Sequence, residues 1–220
     1  FAPALDTCGA TLGSVYYDAP FTVGTKTFKN WYKQGYLGYS SIRDGIIYSM
    51  NIVAVRTMME TVSPQLGVEY AKNFGISTLT DTDMNAATAL GGITKGVTNL
   101  ELTSAFASIA NGGLYTKPVF FTRILDHDGK ILIDNEPETH RVLKDSTAFL
   151  LTDAMEDSMQ ANHIFASSGV SVSSTSTRAA LPNMSAAGKS GTTSNNNDIW
   201  FIGFTPYYTA GVWGGCDENQ

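Results

Sequence analysis

A single mixed α/β unit is what this 220-residue sequence predicts, and three observations carry that prediction. The first half repeats apolar residues at helical spacing behind recognisable capping residues. The second half changes period, with β-branched and aromatic runs separated by turn-forming Gly, Asp and Pro. No internal repeat and no linker divides the chain, which is long enough for one sizeable core.

In chain order, Ser41 with Asp44 three residues on has the form of a capping box ahead of Ile46 and Ile47. From Asn51, the residues Ile52, Val55, Met59 and Val62 fall at helical spacing, so Ser49 and Asn51 sit just ahead of a buried helix. Ser63 and Pro64 then make a cap and a first helical residue. Leu66, Tyr70 and Phe74 form one face, and Gly75 ends the helix. Thr98 with Glu101 caps another helix through Leu102, Phe106 and Ile109, closed by Gly112 and Gly113. VFFTRIL and KILID flank the turn DHDG as a β-hairpin. A helix around Phe149 and Leu150 precedes SSGVSVSSTST, which reads as a solvated connection. Three strand-like pieces close the chain: SAAGKSGTT, DIWFIGFTP and YYTAGVWGG.

Apolar residues at 43% and charged residues at 15% suit an ordered globular chain. The net charge of −6, without any basic run, argues against a nucleic-acid surface. No apolar run reaches the ~18–20 residues that span a bilayer. Cys8 and Cys216 match no metal spacing; they read as two free thiols, a disulfide between them being the other option. His127, His140 and His163 fall in a turn, a loop and a helix end without shared spacing, as surface residues do. No metal or cofactor motif is present.

Two short motifs can carry chemistry: Ser49-Met50-Asn51 at a helix mouth, and Lys189-Ser190-Gly191 on a strand. Acyl transfer from a peptide ending in a carboxylate needs a cation, hydroxyl donors and backbone N–H groups aimed at the developing oxyanion. On the strand, Lys189 supplies positive charge, Ser190 and Thr192 supply hydroxyls, and the Thr192 N–H is placed for the oxyanion. Gly191 lets substrate lie along the strand edge. Thr193 either helps hold a carboxylate or finishes the strand. Ser49 can relay a proton between nucleophile and leaving amine, polarised by Lys189, and Asn51 can bond a substrate amide. Trp31, Trp200 and Trp213 read as core or rim packing, with Trp31 also able to line a groove.

The resemblance extends beyond those letters. NWYKQGYLGYSSIRDGIIYSMNIVAV, ALGGITKGVTNLELTSAFASIANGG and AAGKSGTTSNNNDIWFIGFTPYYTAGVW resemble, in order, the transpeptidase domain of penicillin-binding proteins, most closely the class A bifunctional kind. The resemblance implies the serine β-lactamase/D,D-peptidase-like fold: an antiparallel sheet with helices on both sides. It implies a serine acyl-transferase that cross-links peptidoglycan stem peptides ending in D-Ala-D-Ala and is acylated by β-lactams. It also implies the extracytoplasmic face of a bacterial membrane, with an anchoring N-terminal segment outside this chain.

One family element is absent. The residue three before each lysine is Val23, Lys26, Asn30, Glu69, Gly92, Leu114, His127, Arg141 or Ala186, never the serine of S-x-x-K. FAPALDTCGA resembles the family's segment on the C-terminal side of that motif, so residues 1–220 are expected to be a transpeptidase domain fragment, incomplete at both ends. It would lack the nucleophile motif, the first two strands and the C-terminal helix, and be inactive alone. A non-catalytic scaffold domain is the reading a missing serine permits. A D,D-carboxypeptidase or β-lactamase of the same fold is disfavoured, because no deacylating glutamate can be placed. An incomplete sheet also predicts self-association through the open edge of YYTAGVWGG.

Overall fold

The structure, a computed structural model, describes residues 1–33, 35–160, 162–166, 169–194 and 196–216. Helix α1 (Ala2–Asp6) opens the chain, followed by strand β1 (Val15–Asp18), the hairpin β2 (Phe21–Val23) and β3 (Lys26–Phe28), and β4 (Gly38–Ser41). Helices α2 (Ile42–Ile47), α3 (Asn51–Arg56), α4 (Pro64–Asn73) and α5 (Asn99–Ala110) come next. Then come β5 (Leu114–Thr116), β6 (Arg123–Leu125), β7 (Ile131–Asp134), β8 (Thr139–Arg141), helix α6 (Asp145–Asp157), β9 (His163–Phe165) and β10 (Ser171–Ser173). The chain closes on β11 (Ala187–Thr192), β12 (Asp198–Phe204) and β13 (Thr209–Gly215).

The capping signals act as the sequence predicts. Ser41 and Asp44 exchange both bonds of a capping box at α2, and Thr98 Oγ accepts the Glu101 N–H at α5. Each satisfies helix-end donors that would otherwise lack partners. The segment expected to be one helix from Asn51 to Val62 instead passes from α3 into a π-helical stretch, Thr57–Val62, that packs Val62 into the core. The Thr57 hydroxyl donates to Val53 O at 2.7 Å across that transition.

Strands β11, β12 and β13 form an antiparallel sheet in that order, with Lys189 opposite Ile202 and Trp200 opposite Trp213. The Ala187 and Phe204 side of the sheet joins the main core with Ile42 of α2, Ala105 of α5, and Leu151 and Ala154 of α6. Gly211 sets how closely α5 can approach: a Cβ there would lie 2.0 Å from Thr103 Oγ and 2.6 Å from Asn99 Oδ1. On the opposite side of the sheet Ile199 and Val212 are 55% and 64% exposed, and among the described residues β13 pairs with β12 alone.

Three expectations change. SSGVSVSSTST is not merely a solvated connection: β10 pairs with β9, and Val170 and Val172 are buried with Tyr48 and Met50. Valines two apart on a strand share one face, which turns a polar-looking run into a wall. Its Ser167 and Ser168 lie outside the described residues. The β6–β7 hairpin forms around the predicted turn, where Asp126 Oδ1 accepts the N–H groups of Asp128 and Lys130, but it is shorter than VFFTRIL suggests. His140 and His163 lie on β8 and β9 rather than in a loop and a helix end, and both are exposed. Cys8 and Cys216 are free thiols. Among the described residues, no helix is long and apolar enough to cross a membrane.

Candidate active site

Helices α2 and α3 are separated by a tight turn, Tyr48-Ser49-Met50. Gly45 permits their close approach, because a Cβ there would meet Val53 Cγ1 at 2.7 Å. Met50 is buried, which anchors the turn from below. Ser49 absorbs the change of direction with φ of 52°, a left-handed conformation that a non-glycine residue adopts at a cost. The residue that can relay a proton is therefore also a strained one.

From this turn the Ser49 side chain meets β11. Lys189 Nζ donates to Ser49 Oγ at 2.8 Å and to Ser190 O at 2.7 Å. Two residues 140 positions apart thus meet directly. Burial lowers the Lys189 ammonium from its ordinary 10.5 to about 8. A lysine so placed can exchange a proton with a hydroxyl near neutral pH far more readily than a solvated one.

Asn51 begins α3, and its Nδ2 donates to Lys29 O at 3.0 Å. That bond fixes the orientation of its amide. Ser190 and Gly191 continue β11 beyond the lysine, half-buried, and Thr192 ends the strand exposed. Thr193 closes the hairpin: its N–H donates to Asp198 O at 3.0 Å and its hydroxyl oxygen accepts the Asp198 N–H at 2.9 Å. The Thr193 hydroxyl hydrogen is not used by that pairing. Asp198 in turn accepts the Trp213 indole N–H at 3.0 Å, so both residues brace the end of the sheet.

Around the Ser49 turn sequence reasoning named Trp31, as packing or groove lining, but passed over Asn30 and Asp18. Trp31, 52% exposed, donates its indole N–H to Tyr48 O at 3.0 Å and packs edge-on against Tyr32. Asn30 Oδ1 accepts the Ile52 N–H at 3.1 Å, and Asp18 is fully enclosed behind it. Their one sequence signal was an asparagine set beside two aromatic residues, which no local spacing rule interprets.

Known proteins resemble this chain over nearly its whole length. The family model described as the penicillin binding protein transpeptidase domain matches residues 2–214. Penicillin-binding protein 1A of Clostridium botulinum is 30% identical over 234 aligned positions, covering 100% of this chain and 26% of that protein. Penicillin-binding protein 1F of Bacillus subtilis is 34% identical, covering 94% of this chain and 27% of that protein. The chain therefore spans about a quarter of the length of these relatives. Among solved structures, penicillin-binding protein 1A from Haemophilus influenzae superposes with a TM-score of 0.78 at 25% identity, covering 98% of this chain and 36% of that one. An imipenem acyl-enzyme complex of penicillin-binding protein A from M. tuberculosis also reaches 0.78, at 20% identity, over 100% of this chain and 53% of that one, and shares the fold. With the family model spanning nearly the whole chain and the serine D,D-peptidase fold in common, this chain belongs to the penicillin-binding protein transpeptidase domain family.

Proposed function

We propose that this chain is part of a serine D,D-transpeptidase that cross-links peptidoglycan stem peptides ending in D-Ala-D-Ala and is acylated by β-lactams. One observation carries the reading: the Lys189 ammonium contacts Ser49 Oγ at 2.8 Å, on a strand continuing through Ser190, Gly191 and Thr192. In the reaction a serine oxygen bonds to the carbonyl carbon of the penultimate D-Ala, and the C–N bond to the terminal D-Ala breaks. Ser49 passes the serine's proton to the departing amine, with Lys189 holding the relay polarised. A neighbouring stem-peptide amine then attacks the acyl-enzyme and regenerates the serine. Asn51 orients the substrate amide. Ser190, Thr192 and Thr193 offer hydroxyls to the substrate carboxylate beside Lys189, and Gly191 leaves room for substrate along β11. The Thr192 N–H is assigned to the oxyanion.

The nucleophile belongs, on this reading, to an S-x-x-K segment outside these 220 residues, none of whose nine lysines follows a serine at that spacing. Residues 1–220 are then one part of the transpeptidase domain, which works at the extracytoplasmic face of the bacterial membrane. The open edge of β13 and the exposed Ile199 and Val212 provide the surface through which the isolated chain would self-associate.

A labelled penicillin tests the reading. The full-length gene product should form a stoichiometric covalent adduct, suppressed by Lys189→Ala, whereas this chain alone should form none. An adduct mapped to any serine of this chain, or none in the full-length product, would refute the assignment.

A further inference from the structure

The turn that carries Ser49 is gripped from outside by the segment following β3. Trp31 Nε1 donates to Tyr48 O at 3.0 Å on one side of Ser49. On the other, Lys29 O accepts from Asn51 Nδ2 at 3.0 Å and Asn30 Oδ1 accepts the Ile52 N–H at 3.1 Å. Met50 immediately precedes α3 and has no capping side chain, so Asn30 supplies from a distant segment the acceptor that this helix start lacks.

Asn30 is itself held rigidly. Its Nδ2 donates to Asp18 Oδ1 and to the Tyr32 hydroxyl, each at 2.6 Å. Asp18 on β1 is 1% exposed, and its other oxygen accepts the Tyr32 O–H and the Leu37 N–H, each at 2.8 Å. A buried carboxylate is tolerated when fixed donors surround it, and each donor is then locked, because moving away leaves buried charge unsatisfied. Both hydrogens and the oxygen of the Asn30 amide are committed, so its orientation is determined.

We infer that Asn30, anchored by Asp18, is a positioning residue that holds the Ser49 turn in its strained conformation and so keeps Ser49 Oγ against Lys189. Without that grip a serine at φ of 52° relaxes toward ordinary backbone, and its side chain swings away from β11. This role rests on the acyl-transfer reading proposed above.

The test compares Asn30→Ala with Leu151→Ala, a core truncation in α6, in the full-length gene product. At a temperature where both are folded, Asn30→Ala should slow the first-order acylation step with a fluorescent penicillin about tenfold, on the order of one buried hydrogen bond. The reversible binding constant preceding that step should not move. Leu151→Ala should lower the melting temperature yet leave acylation unchanged. If Asn30→Ala does not fold, Asp18→Asn, which keeps the shape and removes the charge, should slow the same step in the same direction. If the wild type takes no label at all, the transpeptidase reading fails. The positioning inference is then judged in this chain by amide exchange at Ile52 and by a crystal structure of Asn30→Ala. Faster exchange, with Ser49 and Lys189 separated beyond about 3.5 Å, supports it. Acylation within about twofold of wild type, or an intact Ser49–Lys189 contact in the variant, overturns it.

Discussion

Replacing Lys189 by methionine should make the folded chain more stable while removing the chemistry assigned to it. Burial brings the Lys189 pKa from 10.5 to about 8, so at neutral pH the fold carries a charged group in a place that disfavours charge. The sign comes from proton counts. Below about pH 8 the lysine is protonated in both folded and unfolded chains, and the penalty is present in full. Between about 8 and 10.5 the unfolded chain binds more protons, so wild-type stability rises with pH and the penalty fades. The lowering from 10.5 to about 8 corresponds to up to about 3 kcal/mol at pH 7 and roughly half of that at pH 9.5. Methionine matches the length of the buried stem and keeps its packing. Urea unfolding followed by circular dichroism at pH 7 and pH 9.5, on both proteins, gives the comparison. Other titrating groups are common to the two chains and cancel in the difference. The expected result is a variant stabilised by up to about 3 kcal/mol at pH 7, with roughly half of that advantage gone at pH 9.5. A destabilised variant, or an advantage that does not change with pH, would refute the desolvation argument. It would mean that the bonds to Ser49 Oγ and Ser190 O outweigh the burial of the charge.

Three further outcomes are expected. Ser49→Gly removes the hydroxyl but suits the positive φ, so unfolding should show a gain of about 0.5–1 kcal/mol while penicillin labelling of the full-length product is lost; Ser49→Ala should lose labelling without that gain. Gly211→Ala should destabilise by roughly 1–3 kcal/mol in denaturant melts, because the new methyl collides with Thr103 on α5. Sedimentation velocity of the isolated chain should show concentration-dependent association, and Val212→Lys, which charges the exposed face beside the open β13 edge, should shift it toward monomer.

Much of this protein was legible in its sequence because much of it is local. The Ser41–Asp44 box and the Thr98 cap depend on groups three residues apart, so spacing reports them directly. The strand DIWFIGFTP was likewise legible as a strand, although its apolar run Ile199-Trp200-Phe201-Ile202 did not show that Ile202 and Phe204 are buried and Ile199 exposed. The two motifs proposed to carry the chemistry, Ser49-Met50-Asn51 and Lys189-Ser190-Gly191, were also readable from the sequence, since each sets small polar residues and a lysine or asparagine close together. Tertiary structure alone decided the rest. Desolvation of Lys189 is the summed effect of groups distant in sequence, and no spacing encodes it. The left-handed Ser49 stands beside a buried Met50, between two helices that Gly45 lets approach. Asn30 matters because Asp18 and Ile52, twelve residues before it and twenty-two after, converge on one amide. Val170 and Val172 become a wall behind the site only because β9 is there to pair with their strand. Short-range hydrogen bonds and periodicity are written in neighbouring residues, whereas burial, strain and charge are properties of what the finished fold brings together.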